Sequence, residues 1–346
     1  MLRLTLSRRE RKRRTPAAPS LGKGRPCLAA AAALAAGFAT TGVSADTLAQ
    51  PKDNSLERHA AHYIQFREDV AALEAAPFEN ADVTREAHRR LAAHDSKTLS
   101  GGWVAYAALV AADTPAFAEA LQKELKKKAS KRRGELGGRD GLLSNLAQNP
   151  RYASQLDGAD QAIEAILAMT MQDGARITAL GESYKQQAYA MQKTSWGKKR
   201  IAPSQNRLNE AADYSRTRSA PAMPNLQREV DGGAVAPSLA SASGHWGADW
   251  GASADKGRMT EANAQVIMDR VLNLAARYFA GSLNPKIVEV YARNDKSNRC
   301  LSMAKLTLDQ CIAATRTPYE EAFCLGEHGL NDISTCVGWV AGAGAS

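Results

Sequence analysis

The sequence predicts an all-α protein: an antiparallel helical bundle, then a long flexible linker, then a small disulfide-stapled helical hairpin module. Three observations lead there. Apolar residues recur every three to four positions along most of the chain beyond residue 54, the signature of helices with one buried face. Only Lys286 to Ala292 alternates apolar and polar residues, and a lone strand has nothing to pair with, so a helical extension is expected there. Four cysteines cluster near the C-terminus at even spacings, as in a stapled hairpin.

Taken in order, Leu56, Tyr63, Phe66, Val70 and Leu73 stripe a first helix between Asn54 and Ala75, which Pro77 ends. Val83, Ala87 and Leu91 stripe a second, from Asp82 to His94. Leu99 to Ala112, with Trp103, Tyr106, Leu109 and Val110, is apolar almost all round and is expected at the centre of the bundle. Thr114-Pro115 starts the next helix, whose Phe117, Leu121 and Leu125 face inward as far as Gly134, and a short piece follows from Gly141 to Gln148. The longest periodic run is Asp160 to Thr194, with Ile163, Ile166, Ile177, Leu180, Tyr184 and Met191 interrupted by Thr170, Asp173 and Gln187. Val266, Ile267, Val271, Leu274 and Tyr278 stripe a further helix that begins near Thr260.

Between Gly197 and Gly257 the composition shifts to Pro203, Pro221, Pro224, Pro237, Gly232-Gly233 and many Ser and Ala residues, with almost no apolar period. A structureless stretch of that length does not belong inside one domain. The expected division is therefore a helical bundle over residues 55–196, a flexible linker over 197–258 and a stapled module over 259–340, which has little core of its own, with docking back on the first region as the alternative. Inside the linker, Trp246 and Trp250 are candidate aromatic anchors for a partner, against the alternative of docking on the protein's own surface.

Residues 1–45 read as an export signal. Arg8 to Arg14 is strongly basic, Cys27 to Val43 is Ala-rich and apolar, and Val43-Ser44-Ala45 is a small-residue cleavage site before Asp46; an uncleaved membrane anchor is the alternative. Ser7-Arg8-Arg9 resembles the start of a twin-arginine signal. Nine of the 45 Lys and Arg and one of the 36 acids precede Asp46, which leaves 36 bases against 35 acids. A near-neutral remainder argues against a nucleic-acid partner, which needs an excess of Lys and Arg on one face. The expected location is the bacterial periplasm or the cell exterior.

An oxidising compartment agrees with Cys300, Cys311, Cys324 and Cys336, an even set at spacings of 11, 13 and 12. Cys300 and Cys311 share a helical face but stand roughly 16 Å apart along the axis, too far for a disulfide. Thr317-Pro318 opens a second helix, and an antiparallel return pairs inner with inner and outer with outer: Cys311 with Cys324 and Cys300 with Cys336. Gly326 and Gly329 interrupt that second helix. Cys324 with His328 is the one metal-like spacing among these residues.

Signals for chemistry are sparse. Gly181-Glu182-Ser183-Tyr184 resembles the glutamate-serine pair of lytic transglycosylases, helical envelope enzymes in which the Glu serves as general acid and base. Downstream, only Ala190-Met191-Gln192 is similar to that family's Gly-rich segment ending in Leu-Met-Gln, and its glycines are missing. His59 and His62 lie one turn apart, with His88 and His94 on the next helix, a candidate metal set that lacks the Glu-x-x-His pattern. The basic run Lys123 to Arg133 ends a helix, where cations offset the macrodipole, and is a candidate contact for an anionic membrane surface. No cofactor motif appears. The expected function is that of an exported, non-enzymatic scaffold or binding module for a protein or envelope component. The alternatives are glycan cleavage through Glu182 and metal handling through the histidines.

Overall fold

Helix α1 (Ser55–Ala75) and α3 (Ser96–Asp113) form the first layer of the fold, with α2 (Asp82–Ala92) across one end. The computed structural model describes residues 55–130, 134, 136–218, 259 and 261–342. The helix α3 sits at the centre because it has no polar face: Val104, Ala105, Tyr106, Ala107, Ala108 and Ala111 are all fully buried. Asp95 caps it by accepting from Thr98 N at 2.9 Å, and Thr114-Pro115 turns the chain by 77° into α4 (Pro115–Lys126). The sequence pattern carried α4 on to Gly134, but the backbone turns extended at Lys127.

Small side chains let α1 and α3 approach closely. A Cβ at Gly102 would lie 2.9 Å from both His59 O and Tyr63 N, whereas one at Gly101 meets nothing nearer than Ala292 O at 3.5 Å. Gly101→Ala is therefore expected to be neutral or stabilising by up to about 1 kcal/mol, from helix propensity. Gly102→Ala is expected to destabilise by about 1–3 kcal/mol, from overpacking against backbone. Urea denaturation of the two variants checks the contrast.

After α5 (Gly138–Gln148) and a 3-10 turn (Ala153–Gln155), the long α6 (Ala159–Met191) runs past α3 and α4. Asp173, which interrupts its apolar stripe, faces inward: it takes Tyr63 OH at 2.7 Å and lies 3.3 Å from Arg67 Nε, all three side chains being essentially inaccessible. Arg67 Nη1 donates to Tyr106 OH at 2.6 Å, and Arg176, one turn beyond Asp173, holds Glu74 through Nε at 2.6 Å. The α1–α3–α6 seam is thus fastened by a buried ion-pair cluster as well as by apolar packing.

Part of the expected linker is helical. Residues 204–217 of the expected linker form helix α7 (Ser204–Thr217), whose only buried residues are Arg207 and Ala211. An apolar period cannot reveal a helix held by a buried Arg. Helices α8 (Ala262–Phe279), α9 (Pro285–Tyr291) and α10 (Asp295–Ala314) also share the bundle's core: Val271, Leu274 and Leu308 belong to the same apolar cluster as Tyr63, Leu109 and Ile166. The C-terminal segment buries its stripes against α3 and α6 because it has too few apolar residues to form a core alone. Residues 219–258, with Trp246 and Trp250, and the leader over 1–45 lie outside the described residues.

The hairpin consists of α10 and a returning helix made of α11 (Pro318–Cys324), a π-helical segment (Leu325–Asn331) and α12 (Asp332–Gly338). Thr317 and Glu320 form a reciprocal capping box with Pro318 at the first helical position. The structure joins Cys300 to Cys336 and Cys311 to Cys324, the outer and inner pairs of an antiparallel hairpin. Gly326 and Gly329 fall in the π-helical segment. Among the described residues the protein is all-helical, with no strand.

Candidate functional site

The structure scatters the residues that the sequence marks for chemistry. Glu182 is exposed on α6, bonded to Lys185 Nζ at 3.0 Å and to Asn331 Nδ2 at 2.7 Å. The Lys185 hydrogen bond, with that of Asn331, holds its carboxyl below the usual glutamate range. A general acid needs the opposite, a raised pKa in a cleft. The neighbouring Gly181 has a packing reason: its Cβ would stand 2.8 Å from Gly326 O, and one at Gly326 would stand 2.6 Å from Gly181 O. These two glycines let α6 cross the π-helical segment at backbone contact, which accounts for the glycine of the Gly-Glu-Ser pattern.

The four histidines do not converge. His94 Nε2 pairs with Asp69 Oδ2 at 2.7 Å, inside a cluster where Asp69 also takes Arg90 at 2.9 Å and Arg218 at 2.6 Å. His88 is buried elsewhere, while His59 and His62 face a separate cavity. Among the described residues no group of three or more His, Cys, Asp or Glu is placed to hold a metal. Cys324 is committed to its disulfide, and His328 bonds Asp332 at 2.9 Å, so that pair is no zinc site either. Of the basic run, Lys123 lies 3.2 Å from Glu119 and Lys127 2.5 Å from Glu124, while residues 131–133 lie outside the described residues.

His88 carries a pH signature. Burial first, then the Arg207 and Lys305 charges, push its imidazole down to about 4, with Glu210 pulling the other way. An unfolded histidine titrates near 6.5, so between pH 6.5 and 4 the unfolded chain binds a proton that the folded chain refuses. Stability contributed by neutral His88 is present above pH 6.5 and is lost as pH falls through that window. Replacing His88 with Leu is expected to flatten this slope by up to about 3 kcal/mol. Urea denaturation of both proteins at pH 7 and pH 4.5 measures the difference.

One cavity collects polar side chains from both halves of the chain. It encloses about 590 Å³ and is lined by His59 and His62 of α1, Lys97, Thr98 and Ser100 of α3, and Glu289 to Asn298 across α9 and α10. His59 Nδ1 lies 2.8 Å from the Ser55 carbonyl, which accepts only, so Nδ1 carries the proton and Nε2 is left bare. His62 is held below the usual histidine range, first by burial, then by the His59 and His94 charges, with Asp95 opposing. Asn294 caps α10 by accepting from Ser297 N at 3.1 Å. The rim pairs Arg293 with Asp295 at 2.7 Å, while Lys97 stands 3.9 Å from Glu289, all four well exposed. Exposed pairs of this kind contribute about 0–1 kcal/mol and yield readily to a ligand.

Sequence reasoning singled out His59 and His62 but missed Lys97, Arg293 and Asn294. Asn294 was accessible as an Asn before a helix. The other two gain meaning only from the packing of α9 and α10 against α1 and α3.

A second, mainly apolar groove of about 350 Å³ lies beside the inner disulfide, between Tyr189, Tyr319 and Phe323. Among the described residues no single helix is long and apolar enough to cross a membrane. Comparison with protein-family models, curated proteins and solved structures gave no match to this chain.

Proposed function

We propose that this protein is an exported, non-catalytic binding module of the cell envelope, and that its ligand occupies the cavity between α1, α3 and the α9–α10 connection. One observation carries the reading: the cavity, of about 590 Å³, is walled by residues 188 or more positions apart, His59 to Gly101 on one side and Glu289 to Asn298 on the other. That volume falls in the range of small-molecule sites, with the few convergent polar groups such sites use. The two disulfides suit an oxidising compartment, in line with the leader over residues 1–45. Neither Glu182, exposed and held ionised, nor Asp173, sealed in the core, has the setting of a catalytic acid.

Native and denaturing mass spectrometry of the protein recovered from its host's envelope tests this. The expected denaturing mass is that of residues 46–346 less four hydrogens, and the expected native mass exceeds it by one small ligand. A mass that keeps the leader contradicts processing at Ala45. Equal native and denaturing masses contradict the binding role.

A further inference from the structure

The apolar groove beside the inner disulfide has a charged flank. Its walls come from Ala188 and Tyr189 near the end of α6 and from Ala314, Tyr319 and Phe323 around the hairpin turn. Tyr189 is 60% exposed and meets Phe323 edge to face, with 6.3 Å between ring centres. Trp196, half-buried, packs on the same small apolar cluster as Tyr319 and Phe323. Aromatic rings thus gather where the chain leaves α6.

The segment that follows is fixed against the hairpin. Gly197 N donates to Thr194 Oγ1 at 2.9 Å, Tyr319 N to Gly197 O at 3.5 Å and Ile201 N to Arg316 O at 3.0 Å. A Cβ at Gly197 would overlap Met191 O, so this turn is closed to larger residues. Lys198, Lys199 and Arg200 run between the two ties to the hairpin, with Lys193 just before them and Arg316 at the second tie, and all five are exposed. Among the described residues none of these cations stands in an ion pair. The nearby acids are already committed: Glu320 accepts from Arg316 N at 2.6 Å and Thr317 N at 3.0 Å, and Glu321 is buried against Arg207. The run after Lys123 differs, because Lys123 and Lys127 each have a glutamate beside them. Cations held together without counter-charges repel one another, and an anionic surface offsets that repulsion.

We infer that this face docks on an anionic lipid surface, with Lys193, Lys198, Lys199, Arg200 and Arg316 over the headgroups and Tyr189, Tyr319 and Phe323 entering the interface. Lys and Arg reach phosphates on long apolar stems that pack beside the rings. Tyrosine and tryptophan, apolar in body and polar at the tip, suit the depth of the headgroups. An acidic peptide fits less well, since the described residues contain no strand and so offer no sheet edge for pairing. The inference is independent of the cavity reading.

Flotation of the processed protein, from Asp46 onward, tests this with vesicles of phosphatidylglycerol and phosphatidylcholine in equal parts against vesicles of phosphatidylcholine alone. That form keeps every described residue and lacks the basic leader. The expected result is binding to the anionic vesicles at about 0.1 M salt, at least about tenfold weaker at about 0.5 M, and none to the neutral ones. K198Q/K199Q/R200Q is expected to lower the partition coefficient at least about thirtyfold, from about fivefold per charge, with an unchanged circular dichroism spectrum. Tyr189→Ser is expected to lower it several-fold while leaving the salt dependence in place. K123Q/K127Q, at the cations already paired, is expected to leave it unchanged. No binding to the anionic vesicles, equal binding to the neutral ones, or anionic binding that the triple substitution leaves intact would overturn the inference. A protein that ignores vesicles but binds polyglutamate through the same three cations would overturn it too, and would give the surface to an acidic polypeptide.

Discussion

Replacing Arg207 with Ala is expected to lower the unfolding free energy by about 3–5 kcal/mol, the range for breaking a buried ion pair from one side. Arg207 is 2% exposed and Glu321 1%. Its guanidinium donates to Glu321 Oε1 at 2.7 Å, to Thr315 Oγ1 at 2.7 Å, to Thr315 O at 3.1 Å and to Ala202 O at 3.0 Å. Glu321 also accepts from Thr84 Oγ1 at 2.7 Å, so α2, α7 and α11 meet at this one pair. Removing the Arg strands a carboxylate in the interior. Arg207→Lys should restore little, because a single ammonium cannot reproduce the planar fork. The double substitution R207M/E321M, which removes both charges, should recover most of the loss. A single R207A effect under about 1 kcal/mol in urea denaturation would mean that α7 is held by something else.

Loss of the disulfides is the other large expected effect. The outer bridge, Cys300 to Cys336, closes 36 residues and the inner, Cys311 to Cys324, closes 13. On the chain-entropy account, C300S/C336S lowers stability by about 4 kcal/mol and C311S/C324S by about 3 kcal/mol. The outer bridge also ties the start of α10 to α12, where Ser297 Oγ donates to Cys336 O at 3.3 Å. Asn294 and Asn298, on the same turns, line the cavity. The outer pair is therefore expected to weaken ligand retention as well as stability, and the inner pair to affect stability alone. Equal losses of ligand from the two variants would contradict this division.

Much of the helical order was legible because the signals were local. The all-round apolar run around Trp103 became the central α3, Thr317-Pro318 opened α11 with its capping box, and the cysteine spacings led to the observed pairing. What failed did so for identifiable reasons. Helix α7 escaped notice because its inward face is Arg207 rather than Leu or Val. Between a module standing apart and one docked back on the bundle the sequence could not choose: the stripe of Val271, Leu274 and Tyr278 shows that α8 has a buried face but not that α3 is what covers it.

The candidate site was less legible still. Glu182 stood out through its pairing with Ser183, but it lies exposed on α6, and the glycine before it serves a helix crossing. His59 and His62 were visible as a pair one turn apart, but His88 and His94, grouped with them in sequence, turn to different partners. Lys97 and Arg293 carry no local mark, since two rim cations nearly 200 residues apart become a site only after the helices pack.

The cavity exists only if the segments on either side of residues 219–258 fold as one structure, and differential scanning calorimetry of the oxidised full chain tests that most directly. The expected result is a single transition whose calorimetric and van't Hoff enthalpies agree. Two separable transitions, with the C-terminal one moved alone by C300S/C336S, would show that the hairpin segment folds by itself and that the wall from Glu289 to Asn298 is not a fixed part of the site.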